Sequence, residues 1–264
     1  MKITKQALVC ATGIGLMLTA CMNSCTGCKR ENDATEMNAQ SFLQAHLDSL
    51  HITTDSIVDM DYNFQFLTSD GPVTDSINAT ISQWCLTGER ETDVKNAITS
   101  AFTKENEGLV AELKEFYDPD DETYANMRYQ IIRQGIFDTD SPDSVLAYKA
   151  SIYTYTGGAH GASIPLTLNF SLNTGRKLNL DDVINTSRQE EIIALMQEKV
   201  IKDHGCTNRE ELMEKTGLLT LGELYLTENF HIRKDSITFC FEQYEIAPYS
   251  SGITYISLAL KDVK

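Results

Sequence analysis

Hydrophobic positions recur with two different periods along this chain, and the periods predict two kinds of element. In the segment 56–67, Tyr62, Phe64 and Phe66 alternate with polar residues, as in a strand with one buried face. In the segment 92–116, apolar residues recur every three or four positions, which predicts an amphipathic helix. A shorter helix that ends at Gly88 is predicted before it. The apolar positions of the shorter helix are Ile77, Ile81, Trp84 and Cys85.

Strands are also predicted in the centre and at the C-terminal end of the chain. They cover residues 124–137, 145–155, 164–172, 230–233, 236–241 and 253–260. Between them, a helix is predicted over 187–200 from a capping box of Ser187 and Glu190, and Thr207 with Glu210 predicts a second, shorter helix. Because these helices separate strands that resemble hairpins, the order favours an α+β fold with antiparallel sheets and packed helices.

The amino terminus has the features of a bacterial lipoprotein signal. Two lysines precede a short apolar run, residues 7–18, which is too short to span a bilayer because a spanning helix needs roughly 20 apolar residues. The run ends in Leu18-Thr-Ala-Cys21, and this pattern resembles the site at which the cysteine thiol receives a diacylglycerol. The sequence therefore predicts a signal peptide over 1–20 and lipidation of Cys21. An ordinary secretory signal with a chance cysteine is the alternative.

The predicted lipid anchor places the chain in the cell envelope, facing the periplasm or the cell exterior. Residues 21–40 are small and polar, which predicts a flexible tether. Two small α+β domains are predicted to follow, the first over 41–155 and the second over 156–264.

Acidic residues strongly outnumber basic ones. The chain has 38 acidic and 22 basic residues and a formal net charge of −16. Such a surface repels nucleic acid and favours a basic partner, although acidic side chains also serve simple solubility.

The seven cysteines do not form a disulfide framework. Cys25 and Cys28 lie in the predicted tether without the strand–helix context of a redox pair. Cys85, Cys206 and Cys240 stand singly beside apolar neighbours, which predicts buried free thiols. The sequence predicts neither a metal site nor a cofactor.

A glycine-rich motif, Tyr153-Thr-Tyr-Thr-Gly-Gly-Ala-His-Gly161, lies between two predicted strands. Gly157, Gly158 and Gly161 allow backbone conformations that a Cβ would disfavour, and they allow close approach of a ligand or another segment. His160 stands near the tip. We therefore treat these four residues as candidate ligand-binding residues, with a purely structural glycine loop as the alternative. We assign no catalytic residue, since no recognisable nucleophile motif accompanies the histidine.

A second motif, Phe239-Cys-Phe-Glu-Gln-Tyr-Glu-Ile-Ala-Pro-Tyr-Ser-Ser-Gly252, runs from an aromatic-rich predicted strand into a proline-containing bend and a glycine turn. Tyr244, Glu245 and Tyr249 combine apolar bodies with polar tips. Such residues suit a binding surface, and they equally suit a cap that satisfies backbone groups at a strand end.

Taken in order, Gly-Gly-Ala-His-Gly161, Asn-Thr-Gly175, Leu-Asn-Leu-Asp-Asp182 and Tyr-Glu-Ile-Ala-Pro-Tyr249 resemble a family of extracytoplasmic domains of unknown function in bacterial envelope proteins. The same pair of domains resembles the sensor region of lysozyme-sensing anti-sigma factors and the N-terminal part of a peptidoglycan deacetylase. Residues 53–155 correspond to the smaller domain and 156–262 to the larger. The sequence predicts no counterpart of the membrane span and the cytoplasmic sigma-binding segment of the sensors, and the predicted lipid anchor would replace both.

The resemblance implies a binding module at the cell envelope. Its partner would be a lysozyme-like basic protein or peptidoglycan. Two alternatives stay open, namely a hydrolase of cell-wall glycan or ester and a structural or assembly lipoprotein.

Overall fold

Helices and strands follow one another in groups along the chain, and the computed structural model describes residues 2–3, 38–55, 58–68, 70–116 and 128–264. The strands are β1 (Lys2–Ile3), β2 (Leu47–Asp55), β3 (Val58–Leu67), β4 (Tyr129–Asp138), β5 (Val145–Tyr155), β6 (Ala162–Ser171), β7 (Phe230–Ile232), β8 (Ser236–Phe241) and β9 (Thr254–Ala259). The α-helices are α1 (Ala39–His46), α2 (Pro72–Ile81), α3 (Val94–Phe116), α4 (Gln189–Asp203), α5 (Arg209–Thr216) and α6 (Leu260–Val263). The predicted α+β class is confirmed.

The larger sheet contains β1 to β6 in sequence order. Its pairs are antiparallel except for β3 and β4, which run parallel with Phe64 opposite Gly135. The chain passes through α2 and α3 between these two strands, and a parallel pair requires such a long crossover. The larger sheet is therefore mixed, where the sequence predicted antiparallel pairing only.

One face of the larger sheet packs on α1, α2 and α3 and forms the first hydrophobic core. The alternation predicted for β3 places Tyr62, Phe64 and Phe66 in this core. The same core contains apolar residues from along α3, namely Val94, Ile98, Phe102 and, near the end of the helix, Leu113.

The residue Trp84 does not share the buried face of α2, contrary to the sequence prediction. Ile77, Ile81 and Cys85 are buried, but Trp84 is 54% exposed. The chain widens into a π-helical turn over Ser82–Leu86 directly after α2, which shifts the angular position of the following side chains. Trp84 instead lies under the ammonium group of Lys177, 5.4 Å from the ring centroid.

The smaller sheet is antiparallel, in the order β7-β8-β9. One of its faces packs on α4 and α5 and forms the second hydrophobic core. Phe239 and Ile256 come from the sheet, and Ile192 and Met196 come from α4. The predicted C-terminal strands thus form a sheet, and the predicted helices pack on one of its faces.

The strand β6 belongs to the larger sheet, because it pairs with β5 from Val145 opposite Ser171 to Thr154 opposite Ala162. The predicted boundary between residues 155 and 156 consequently lies in the turn of a hairpin inside this sheet. The first core extends along the chain to Leu172, and the second begins at Leu180.

The predicted lipidation site Cys21 and the pair Cys25 and Cys28 lie outside the described residues. Helix α1 begins at Ala39 and therefore includes the last two residues of the predicted tether. Strand β2 was not predicted. No helix in the described ranges combines the length and the apolar character needed to cross a bilayer.

Candidate functional site

The glycine-rich motif and the second motif, which contains Tyr244 and Tyr249, contact each other in the structure. The ring of His160 stacks on the ring of Tyr249, with 3.7 Å between centroids and 16° between planes. The hydroxyl of Tyr244 lies 3.3 Å from His160 Nε2. We call His160, Tyr244, Glu245 and Tyr249 the aromatic site. The structure thus brings together candidate residues that are more than eighty positions apart in the sequence.

The backbone of the glycine loop has the conformations that the motif predicted. Gly157 and Gly158 have φ values of 99° and 91°, which L side chains rarely adopt. Gly161 is required for a different reason, since a Cβ at this position would lie 2.5 Å from the ring of Tyr153. Tyr249 fixes the loop by donating a hydrogen bond from its hydroxyl to the Gly161 carbonyl oxygen at 2.9 Å.

The carboxylate of Glu245 accepts one hydrogen bond from a distant residue and one from its own turn. It accepts a hydrogen bond from the Tyr225 hydroxyl and another from the Glu242 backbone N–H at 2.6 Å. The pKa of Tyr225 is raised, chiefly because its hydroxyl donates to this carboxylate. Burial and the nearby Glu245 raise the pKa of Glu242. A cavity of about 430 Å³ opens beside these residues and extends to Asn229.

The residue Tyr244 combines strain with exposure. Its φ of 68° lies in the left-handed region, which is unfavourable for a residue with a Cβ. Its side chain is nevertheless 56% exposed, so burial of the ring does not compensate for this conformation. Residues held in such sparsely populated backbone conformations cluster at functional sites, which makes Tyr244 a candidate for binding.

The contacts of His160 among the described residues are with the rings of Tyr244 and Tyr249 and with a carbonyl. Its Nδ1 lies 3.1 Å from the Gly161 oxygen. A nucleophile–base pair requires a serine, threonine or cysteine within hydrogen-bond reach of the histidine, and none occurs among these contacts. The arrangement therefore presents aromatic faces and polar tips, which suit binding.

A second concave surface was not predicted from the sequence. A groove of about 670 Å³ lies between the face of β4, β5 and β6 opposite the first core and the free face of the smaller sheet. We call it the inter-sheet groove. Its polar residues include Lys149, His231, Arg233 and Tyr255. The signal in the sequence was His231, a polar residue between Phe230 and Ile232 in an otherwise apolar strand.

Two of the three cysteines that were predicted to be buried free thiols are buried in the structure. Cys85 and Cys240 are buried, and Cys206 is half-buried. Burial raises the pKa of both buried thiols to about 12, which keeps them protonated and unreactive at neutral pH.

The C-terminal part of the chain matches a known protein family. Residues 181–261 match the family described as protein of unknown function (DUF3298). A crystal structure of a member of this family from Bacteroides fragilis is similar with a TM-score of 0.67 and 26% sequence identity, covering 81% of this chain and 90% of that one. A DUF3298 family protein from Pseudomonas aeruginosa shares the fold, with a TM-score of 0.57, 14% identity, and coverage of 83% and 94%.

One curated relative carries a functional name. The chain is 28% identical over 117 residues to the peptidoglycan-N-acetylmuramic acid deacetylase PdaC of Bacillus subtilis. The match covers 42% of this chain and 24% of the deacetylase. The chain therefore spans about a quarter of that relative. These matches confirm the predicted resemblance to a domain of unknown function and to a peptidoglycan deacetylase.

Proposed function

We propose that this chain, which carries a DUF3298 domain, is a cell-envelope binding module that recognises peptidoglycan through the aromatic site. The observation that carries the proposal is the stacking of His160 on Tyr249 beside the exposed ring of Tyr244. Tyrosine rings offer an apolar face and a hydrogen-bonding tip, and both suit the faces and hydroxyls of sugar rings.

The similarity to the deacetylase supports binding of peptidoglycan more than it supports a catalytic activity of this chain. The name of that relative states that it acts on peptidoglycan, and the shared stretch is a quarter of its length. A glycan hydrolase would need paired carboxylates or a nucleophile with its base. His160 contacts two tyrosines and a carbonyl, and Glu245 already accepts two hydrogen bonds, so the geometry favours binding.

The test measures retention of the full chain, purified in detergent, on insoluble peptidoglycan. Tyr244→Ala removes an exposed ring, and we expect it to lower retention about tenfold, as interface tyrosines do. Tyr244→Phe keeps the ring and loses only the hydroxyl near His160, so it should retain most of the binding.

The matched control is Trp84→Ala, which removes an equally exposed aromatic ring outside the aromatic site. It should bind as the unaltered chain does. Equal retention of the Tyr244→Ala and Trp84→Ala variants would contradict the proposal, as would the absence of retention of the unaltered chain.

A lysozyme-like basic protein is the second candidate partner. The observation that favours it is the net charge of −16. Attraction between exposed charges is screened by salt, so retention of lysozyme should fall steeply between about 50 mM and about 500 mM salt. Peptidoglycan bears carboxylates and is repelled by the chain at long range, so its retention should not fall in the same series.

We further propose that acylated Cys21 anchors the chain to a membrane of the envelope. The support is the sequence Leu18-Thr-Ala-Cys21 after a short apolar run. Cleavage before Cys21 would remove β1, whose only registered pairs are Lys2 with Thr53 and Ile3 with Ile52. Globomycin or a Cys21→Ser substitution should leave an unprocessed precursor of higher mass. Unaltered size and membrane partitioning would contradict the proposal.

A further inference from the structure

The inter-sheet groove has a floor and a facing wall from different sheets. The floor consists of alternate residues of adjacent strands, so their side chains point to one face. It includes Gln134, Ile136, Lys149, Ser151, Pro165 and Thr167. The facing wall comes from the smaller sheet and includes His231, Thr238, Tyr255 and Ser257. A cleft of this volume is typical of sites for small molecules.

The residues that line the groove include cations but no acid, although the chain as a whole is acidic. Among the fifteen residues that line it, Lys149 and Arg233 are cationic and none is acidic. The acidic partners of these two cations, Asp138 and Asp140, are not among the lining residues. An ammonium group has three donors and a guanidinium group has five, so each cation keeps donors beyond its ion pair. The groove therefore presents two ion-paired cations whose remaining donors can bind an anion, on a molecule of net charge −16.

The residue His231 adds a polar atom without a hydrogen bond at the cationic end of the groove. Its side chain is 9% exposed, and Nε2 lies 3.3 Å from Asp138 Oδ2 without forming a hydrogen bond. Burial, and then the charge of Lys149, lower the pKa of His231 to about 4, so the ring is neutral at pH 7. Because Nε2 is covered and lies beside the Asp138 carboxylate, His231 borders this end of the groove as a neutral ring and leaves Lys149 and Arg233 as its charged groups.

We propose that the inter-sheet groove binds a carboxylate-bearing saccharide. The carboxylate lies beside Lys149 and Arg233, and the sugar hydroxyls face the hydroxyl side chains that also line the groove. These side chains are Ser151, Thr167, Ser236, Thr238 and Ser257. The exposed side chains of Ile136 and Tyr255 supply apolar contacts for the faces of the ring. The choice of an anion rests on the groove alone, and the choice of a saccharide rests on the proposed function.

The test uses two sugars that differ chiefly in the carboxylate. The full chain, labelled with nitrogen-15 in detergent, is titrated with N-acetylmuramic acid and separately with N-acetylglucosamine, which lacks the lactyl carboxylate. We expect N-acetylmuramic acid to shift the amide resonances of Thr238, Tyr255 and Ser257. The neutral sugar should bind about tenfold more weakly, because it gains nothing from the cations.

The variant Arg233→Gln removes one cation from the groove, and its guanidinium is half-exposed, so the fold should persist. We expect it to abolish the preference for the acidic sugar. The matched control is Arg176→Gln, which removes an equally exposed, ion-paired arginine outside the groove and should keep the preference. Tyr255→Ala should weaken both sugars without changing their ratio.

Three outcomes would overturn the inference. They are equal affinity for the two sugars, shifts confined to residues outside the groove, and an unchanged preference in the Arg233→Gln variant. The outcome for the proposed function is separate. Retention of insoluble peptidoglycan that depends on Tyr244, without binding of N-acetylmuramic acid in the groove, would contradict only the groove. Binding in the groove without that retention would contradict only the proposed function.

Discussion

The side-chain amides of Asn169 and Asn229 join the two sheets in opposite directions. Asn169 lies on β6 and is 1% exposed. Its amide donates to the Phe230 carbonyl oxygen at 2.7 Å, and its oxygen accepts from the Ile232 N–H at 3.1 Å. The Asn169 side chain thus takes the place of a neighbouring strand along the edge of β7.

The amide of Asn229 makes the reciprocal pair of bonds on β6. Its oxygen accepts from the Thr167 N–H at 2.9 Å, and its nitrogen donates to the Pro165 carbonyl oxygen at 2.8 Å. Two strand edges are therefore satisfied by side chains instead of a backbone ladder. This arrangement holds the sheets together at the edges and leaves the inter-sheet groove open beside them.

The first prediction concerns Asn169→Leu. The substitution keeps a similar volume and leaves the Phe230 carbonyl and the Ile232 N–H buried without partners. Each unpaired group costs about 1–3 kcal/mol, so the free energy of unfolding should fall by about 2–6 kcal/mol. Urea denaturation measures it. The exposed Asn96→Ala, in α3, should change the value by less than about 0.5 kcal/mol. A loss of similar size in both variants would show that the amide bridge does not stabilise the fold.

The second prediction concerns Gly161→Ala. The added Cβ would lie 2.5 Å from the Tyr153 ring, so the glycine loop must move away from Tyr249. We expect weaker retention on peptidoglycan and a lower melting temperature. The double variant Gly161→Ala/Tyr153→Val removes the obstructing ring and should restore the melting temperature. Gly108→Ala, in an open position of α3, should instead stabilise the protein by about 0.5–1 kcal/mol. Failure of the double variant to recover would refute the steric cause.

The third prediction concerns the pH dependence of stability at His231. The pKa of its folded form is about 4, lower than the ordinary value of 6.5, because burial disfavours the charged ring. The unfolded chain therefore takes up the proton first, and stability should fall as pH decreases from about 6.5 to about 4. The contribution lost is on the order of 2–3 kcal/mol. Above pH 7 this contribution should be constant.

The variant His231→Gln isolates this contribution, since it cannot titrate. Urea denaturation of both proteins between pH 7 and pH 4 should show that the difference in unfolding free energy shifts in favour of the variant as pH falls. Parallel curves for the two proteins would be incompatible with a depressed pKa at His231.

The fourth prediction concerns the ion pair of Arg133 with Glu105. Arg133 donates two parallel hydrogen bonds to the carboxylate, at 2.9 and 2.6 Å, and the Tyr62 hydroxyl donates to the same group. Arg133→Met leaves a half-buried carboxylate without its cation and should cost about 2–4 kcal/mol. The double variant Arg133→Met/Glu105→Leu removes both charges and should recover most of that loss.

The comparison pair for this experiment is Arg209 and Glu223, whose carboxylate is largely exposed. Arg209→Met should cost less than about 1 kcal/mol, because exposed pairs are screened by water and salt. Thermal and urea denaturation measure both losses. An equal loss for Arg133→Met and Arg209→Met would show that burial does not strengthen the dependence on the pair.

Much of the local structure could be predicted from the sequence, because periodicity and turn chemistry act over a few residues. The alternation at Tyr62, Phe64 and Phe66 predicted both the strand and its buried face. The combination Asn173-Thr-Gly175 predicts a tight turn, because asparagine and glycine tolerate positive φ, and Gly175 has a φ of 70°. Helix starts were placed less well. Thr207 was predicted to cap α5, but Asn208 accepts the capping hydrogen bond from Glu211 instead.

The start of α4 was also placed incorrectly from the sequence. The predicted capping box of Ser187 and Glu190 is replaced by a 3-10 turn in which Asn185 accepts from the Ser187 N–H, and α4 begins at Gln189. Several neighbouring side chains in such a segment are chemically able to cap a helix. Which of them caps the helix depends on the direction from which the chain enters it. That direction depends on how α4 packs in the second core.

The sequence by itself determined which residues turn inward on strand β3 and helix α3, since a face is set by the spacing of apolar residues. Only the tertiary structure decided that β3 pairs in parallel with β4, that His160 stacks on Tyr249, and that Lys149 and Arg233 line one groove. Backbone hydrogen bonds between strands are nearly independent of side-chain identity, so a local pattern does not specify the neighbour of a strand. That choice follows from closing two hydrophobic cores at once, and the cores are formed by residues far apart in the chain.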